Sequence, residues 1–312
     1  MNSIAKNIIF YSISILIGAL FIFSGYVKLY PIEPFEFTFV DLGIANWRTA
    51  PFIARIFISL EFFIGALLIF NVYMKKFTVK FTIAVLVIFN FYLLLVLLKD
   101  GNSGNCGCFG NVLVMTPLQA LGKNIIIILL LLPFLYRKSE LDYGRFTRWI
   151  IYPFLLISLV MPHVLNYIDF SYSESYLKES KINQSVPLDT LYNNASYKKP
   201  VKDLDKGKNI LVFMSLKCPH CKIAAKKIRL INRANRNLPF FLVFNGETSD
   251  LQPFFTETKI SGIPYCFLLG KPFIYLAGTT LPTIYLLSDA KLEFKINYLD
   301  LDQSELEKWL EK

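Results

Sequence analysis

Asn209-Ile-Leu-Val-Phe-Met-Ser215, running through Leu216 into Lys217-Cys218-Pro219-His220-Cys221, joins a buried strand to a helix start. Seven residues with five apolar in a row suit a strand covered on both faces. The segment after it places Ala224, Ile228 and Ile231 on one helical face, with Lys222, Lys226, Lys227, Arg229 and Arg233 expected on a solvated face. Cys-x-x-Cys at such a junction is a redox motif. The first sulfur sits where unpaired N–H groups and the helix dipole favour negative charge. Cys218 is therefore the expected exposed nucleophile, and Cys221, one turn inward, the resolving thiol. Two cysteines and one histidine fall short of a closed tetrahedral zinc set, so no metal is expected.

Working outward, Pro239-Phe-Phe-Leu-Val-Phe-Asn245 reads as a second central strand. Thr279 to Ser288 reads as a segment leading into a strand, Lys291 to Ile296 as the strand that pairs with it in a hairpin, and Asp302 to Lys312 as a closing helix. Over about residues 206–312 this order resembles the thioredoxin superfamily. The resemblance implies that Pro282 is the family's cis-proline and faces Cys218, with the backbone of Leu281 receiving an extended partner chain. Pro264 fits that role less well, because strand, hairpin and helix follow Pro282 in order. Where the family often has a buried acid, six positions before the first cysteine, this chain has Val212. The Pro219-His220 dipeptide resembles that of strongly oxidising periplasmic disulfide donors. Potentials across such proteins span about −270 to −120 mV, and the dipeptide leans the site towards substrate oxidation.

The first half is of another kind. The 312 residues are 54% hydrophobic with a mean hydropathy of +0.46, and apolar blocks of bilayer-spanning length fill the chain up to about Phe170. Spans are expected at 7–27, 52–73, 78–98, 117–136 and 149–168. Residues 1–167 hold 13 Lys/Arg against 7 Asp/Glu, and 168–312 hold 20 against 16, so the net +10 divides as +6 and +4. No block of like charge suits nucleic acid. Lys75, Lys76 and Lys80 lie in one connection, and Arg137, Lys138, Arg145 and Arg148 in another. The 29–50 loop has only Arg48 against Glu33, Glu36 and Asp41, and the 99–116 loop has Lys99 against Asp100. The positive-inside bias then puts the N-terminus in the cytoplasm and the C-terminal domain in the periplasm of a bacterial inner membrane. Cys106/Cys108 and Cys218/Cys221 fall on the same, oxidising side.

Asp100-Gly-Asn-Ser-Gly-Asn-Cys106-Gly-Cys108-Phe-Gly110 gives a flexible loop with two adjacent sulfurs. A Cys-Gly-Cys disulfide closes a small ring, and strained disulfides are the labile ones. Glu61 lies several turns inside the second span, where a carboxylate is costly and faces the bundle interior. It reads either as a proton carrier or as a helix-to-helix hydrogen bond to Asn90 or Lys28. Cys266 reads as a small buried hydrophobe.

Phe23-Ser-Gly25-Tyr-Val-Lys28, Glu61 with Gly65, Cys106-Gly-Cys108-Phe-Gly110 and Gly122-Lys-Asn124 resemble the MauE/DoxX family of four-helix membrane proteins, over roughly residues 5–137. That resemblance implies redox work. The expected fold class is mixed: an α-helical transmembrane bundle, four MauE/DoxX-like helices plus a fifth span, and a C-terminal α/β thioredoxin-like fold. The expected domains are 1–140 for the four-helix unit, 141–168 for the fifth helix, 169–207 for a periplasmic linker and 208–312 for the thioredoxin-like domain.

The leading functional expectation is a membrane thiol-disulfide oxidoreductase. It would relay electrons between Cys218/Cys221 and Cys106/Cys108, with periplasmic protein thiols as partners and no covalently bound cofactor. By analogy with vitamin K epoxide reductase-like bundles, a quinone is the expected electron acceptor. Two alternatives stand beside it. One is a reductant conduit for periplasmic protein or cytochrome maturation, the other a non-catalytic assembly factor that binds extended peptide beside Pro282.

Overall fold

The computed structural model describes residues 3–102, 109, 115–136, 145–168, 176–178, 180–196 and 203–312. The chain divides into two compact units, Met1–Ile168 and Asp169–Lys312.

In the first unit, four helical segments are long and apolar enough to cross a membrane: Asn7–Leu29, Ala50–Ile69, Met74–Leu98 and Pro117–Leu135. They belong to helices α1 (Ser3–Leu29), α3 (Ala50–Ile69), α4 (Val79–Asp100, entered through a π turn at Met74–Thr78) and α5 (Pro117–Leu135). Their outer faces carry exposed apolar side chains such as Leu16, Phe91, Leu98 and Ile126, a belt that only a lipid environment stabilises at this density. The protein is a multi-pass membrane protein. The fifth expected span is helical as well, α6 (Arg145–Leu165), and its described apolar stretch, Ile151–Leu165, is shorter than the other four.

Helix α3 is the pivot. It meets α1 where Gly18 and Gly65 lie against each other, each so close that an added Cβ would come within 2.8 Å of the other's carbonyl oxygen. Small residues at a membrane helix crossing let the backbones approach and multiply dispersion contacts. On another face, Ser59 Oγ donates to the Leu159 carbonyl at 2.7 Å, tying α3 to α6. The start of α5 follows from Thr116, whose hydroxyl accepts the Gln119 N–H while the Gln119 side chain accepts the Thr116 N–H. This capping box has Pro117 at the first helical position, where its missing N–H is harmless.

The 29–50 connection is not a plain loop. Glu33–Asp41 forms a short helix, α2, with Phe35, Phe37 and Phe39 buried. Pro34 lies in its first turn, and Glu33 and Glu36 complement the positive helix end. Arg55 of α3 holds α2 by donating to Glu36 at 2.7 Å, and it also reaches the Asn166 carbonyl at 2.7 Å. A buried guanidinium is tolerable because these acceptors replace its water.

The second unit is a six-stranded sheet in the order β1-β6-β5-β2-β3-β4. The strands are β1 (Gln184–Ser185), β2 (Lys208–Ser215), β3 (Phe240–Asn245), β4 (Tyr265–Phe267), β5 (Thr283–Ser288) and β6 (Lys291–Ile296). Strand β2 runs parallel to β3 and antiparallel to β5, and β5 pairs with β6 antiparallel. Helix α8 (Pro219–Ala234) joins β2 to β3, and α11 (Gln303–Glu311) closes the chain. This β6-β5-β2-β3 core with a β-α-β crossover and a terminal hairpin-helix is a thioredoxin-like fold. Asp289 and Ala290, both at positive φ, turn the β5–β6 hairpin, as a two-residue connection requires. The edge strands are short, two residues in β1 and three in β4, and Ser196 forms an antiparallel bridge with Phe267, the last residue of β4.

The tether expected over 169–207 is folded in part. Beyond β1, Leu188–Asn194 forms helix α7, and Leu188, Leu191, Ala195 and Leu204 join the core cluster that contains Phe213 and Cys266. A fully buried leucine contributes about 1.5–3 kcal/mol, enough to fix a short polar segment to the sheet.

Candidate functional site

Cys218 follows the end of β2 and is the N-cap of α8, with extended backbone. Pro219 takes the first helical position, and the Cys218 sulfur accepts the Cys221 N–H at 3.4 Å. The strand thus delivers the sulfur to the helix end where backbone donors lack helical partners. Cys218 is half-buried; Pro219 and His220 are exposed. Cys221 is fully buried, and its sulfur accepts the Ser215 N–H at 3.4 Å. Burial, with the adjacent Cys218 contributing, pushes the Cys221 thiol far above its ordinary value. Both cysteines are free thiols here.

The Leu281–Pro282 peptide is cis, and the Leu281 carbonyl lies 3.9 Å from the Cys218 sulfur. Thr283, which starts β5 beside it, is fixed by donating to the Ala277 carbonyl at 2.8 Å. Pro264 instead precedes β4, where its carbonyl accepts the Leu242 N–H. Val212 is buried in the middle of β2. Cys266 is buried on β4, at the sheet edge beyond β3, and burial pushes its thiol up to about 12.

Tyr298 escaped the sequence reading. Its hydroxyl meets His220 Nδ1 at 3.2 Å, and the two rings lie 5.9 Å apart. The Tyr298 and Leu299 carbonyls accept from Lys227 at 3.1 and 3.0 Å, so one lysine of the expected solvated face anchors this turn to α8. No local pattern in Asn297-Tyr-Leu-Asp announces that role.

Of the membrane-domain residues, Cys106 and Cys108 lie outside the described residues. Glu61 is buried on α3. Lys28 donates to its Oε1, and so does Ser24, at 3.0 Å; Lys28 also reaches Ser24 Oγ at 2.9 Å. Asn90 pairs instead with Asn124 at 2.9 Å, linking α4 to α5. A carboxylate and an ammonium buried together neutralise each other, which makes the pair tolerable away from water.

Residues 6–137 match the family described as methylamine utilisation protein MauE. The chain is 29% identical over 324 residues to Protein TlpB of Flavobacterium psychrophilum, covering 89% of this chain and 88% of that one. A secreted disulfide oxidoreductase of Mycobacterium tuberculosis, solved at 1.1 Å and described as homologous to E. coli DsbE, overlaps 34% of this chain and 81% of its own. Identity there is 15% and the TM-score 0.28. Residues 6–137 are thus similar to the MauE family, and a domain of thioredoxin-like fold follows them in the chain.

Proposed function

We propose that the protein is a membrane-bound thiol-disulfide oxidoreductase that leans to substrate oxidation. The observation that carries this reading is the Cys218 sulfur, accessible at the start of α8, one turn from a buried Cys221 and beside the Leu281 carbonyl. With the Cys218–Cys221 disulfide formed, a substrate thiolate attacks Cys218 and Cys221 leaves as a thiol after taking a proton. The second substrate thiolate then displaces Cys218, so the substrate gains a disulfide and the site holds two thiols. A protein disulfide at Cys106/Cys108 accepts those two electrons and two protons by the same exchange. A quinone then takes both from the Cys106/Cys108 dithiol, giving quinol and restoring the disulfide.

The reading places the N-terminus in the cytoplasm and both cysteine pairs on the periplasmic side of a bacterial inner membrane. Replacing Cys221 with Ala is expected to accumulate mixed disulfides on Cys218 with periplasmic proteins. Their capture as dithiol substrates supports the oxidising direction. Absence of any Cys218 adduct would sink the exchange reading, and an impermeant thiol reagent that found Cys106 and Cys218 on opposite faces would sink the relay.

A further inference from the structure

The turn between α3 and α4 gathers cations and aromatic rings at one end of the membrane unit. Lys75, Lys76 and Lys80 fall within six residues, and no carboxylate lies between Glu61 and Asp100 in the chain. All three lysines are exposed, and neither Lys76 nor Lys80 forms an ion pair among the described residues. Lys76 and Lys80 are four residues apart, so their ammonium groups share one helix face and repel each other unless an anion lies between them. Tyr73 and Phe77 are exposed beside them, as are Trp149 and Tyr152 on α6. The Tyr73 and Tyr152 hydroxyls meet at 2.9 Å, which puts both side chains at the same level of the bundle.

Contacts fix the backbone of this turn. Asn71 and Tyr73 have φ of 51° and 41°, a left-handed conformation that residues other than glycine hold only where their surroundings enforce it. The Asn71 side chain donates to the Leu68 carbonyl at 3.2 Å, and Ser14 of α1 donates to the same carbonyl at 2.6 Å. The Thr78 hydroxyl donates to the Val72 carbonyl. A π turn over Met74–Thr78 carries Lys75 and Lys76, and such turns recur at functional sites. The lysines thus project from a rigid hairpin at the ends of two membrane-length segments, Ala50–Ile69 and Met74–Leu98.

Those features select the partner. The lysines call for an anion, and the rings around them are of the kind that concentrates where acyl chains meet head groups. A soluble anion would satisfy the lysines and leave Phe77 and Trp149 in water. A lipid phosphate with its acyl chains satisfies both. We propose that this turn binds the head group of an anionic phospholipid, with Lys76 and Lys80 on the phosphate and the exposed rings against the glycerol and upper acyl chains. The proposal goes beyond the thiol chemistry and stands independently of it.

The test titrates the full-length protein in detergent with phosphatidylglycerol, or with phosphatidylcholine of the same acyl chains, and counts retained lipids by native mass spectrometry. The wild type is expected to hold phosphatidylglycerol at least tenfold more tightly. Lys76→Gln with Lys80→Gln should abolish that preference, and Lys76→Arg with Lys80→Arg should keep it. Lys291→Gln with Lys312→Gln removes the same charge from exposed positions of the second unit and should leave the preference intact. Circular dichroism checks that each variant keeps its helices. Equal retention of the two lipids overturns the proposal, as does a preference that survives both glutamines at Lys76 and Lys80. Equal loss in the Lys291/Lys312 variant would reduce the effect to overall charge, and displacement by inorganic phosphate would give the site to a soluble anion; either result also overturns it.

Discussion

The Cys218 sulfur and the Leu281 carbonyl oxygen, 63 residues apart in the chain, stand 3.9 Å apart in the fold. The pairing sets a reactive atom beside a backbone acceptor. In the proposed exchange, an extended peptide that laid its own N–H on the Leu281 carbonyl would bring a neighbouring sulfur within reach of Cys218.

Accessibility separates the three thiols of this domain. Iodoacetamide at pH 8 is expected to alkylate Cys218 but neither Cys221 nor Cys266, because those two are buried and their thiols are pushed up by burial. Mass spectrometry of the native and denatured protein reads the difference. Rapid native labelling of Cys266 would contradict its place in the core.

Burial of Cys266 also predicts alkaline sensitivity. Its folded thiol, pushed up to about 12, stays neutral while the unfolded one ionises from its ordinary value of 9.0. Its contribution is therefore complete below pH 9 and is lost as pH rises from there towards 12, at most about 1.4 kcal/mol per pH unit. Urea titrations between pH 9 and 11 should show a shallower fall of stability for Cys266→Ala than for the wild type.

Tyr298→Phe tests a positioning role. The hydroxyl holds His220 beside the helix start, and its loss removes one hydrogen bond, worth about 1 kcal/mol. We expect the dithiol to become less oxidising by ~20 mV in equilibrium with glutathione, while the melting temperature moves little. A potential identical to wild type would show that the contact is only structural.

The buried pair Lys28–Glu61 predicts strong asymmetry. Lys28→Met leaves a carboxylate buried beside Ser24 without its counter-charge, at a cost of about 3–5 kcal/mol. Replacing both, Lys28→Met with Glu61→Leu, should recover most of that loss in a thermal melt in detergent. Equal damage from the single and double variants would argue against a coupled pair.

Two glycines should respond in opposite senses. Gly65→Ala pushes a methyl into the Gly18 carbonyl and the Ile22 side chain, and overpacking costs about 1–3 kcal/mol. Gly122, inside α5, has nothing within 4 Å of an added Cβ. Gly122→Ala should therefore stabilise by about 0.5–1 kcal/mol through helix propensity alone.

The legible parts of this protein were those written in contiguous residues. Strand β2 with Cys218 to Cys221, and the long apolar helices, announce themselves by run length and by motif. Helix α2 did not, because Phe35, Phe37 and Phe39 alternate like a strand and become helical by packing under Arg55. Leu188, Leu191 and Leu204 are scattered in polar sequence, and their value appears only against the sheet. Glu61 was readable as costly and buried, with Lys28 among its expected partners, but Ser24 was not, since serine in a membrane helix has many uses. Tyr298 meets His220 across 78 residues, a distance no local pattern spans.

The brevity of the outermost strands has a consequence for crowding. Domains anchored to one bilayer are held at high local concentration, and a long bare strand would invite neighbours to zip together into a continuous ribbon. With two polar residues at one margin, and three at the other of which Phe267 is already partnered by Ser196, there is too little ladder on offer. Many copies can share a patch of membrane without fusing their sheets.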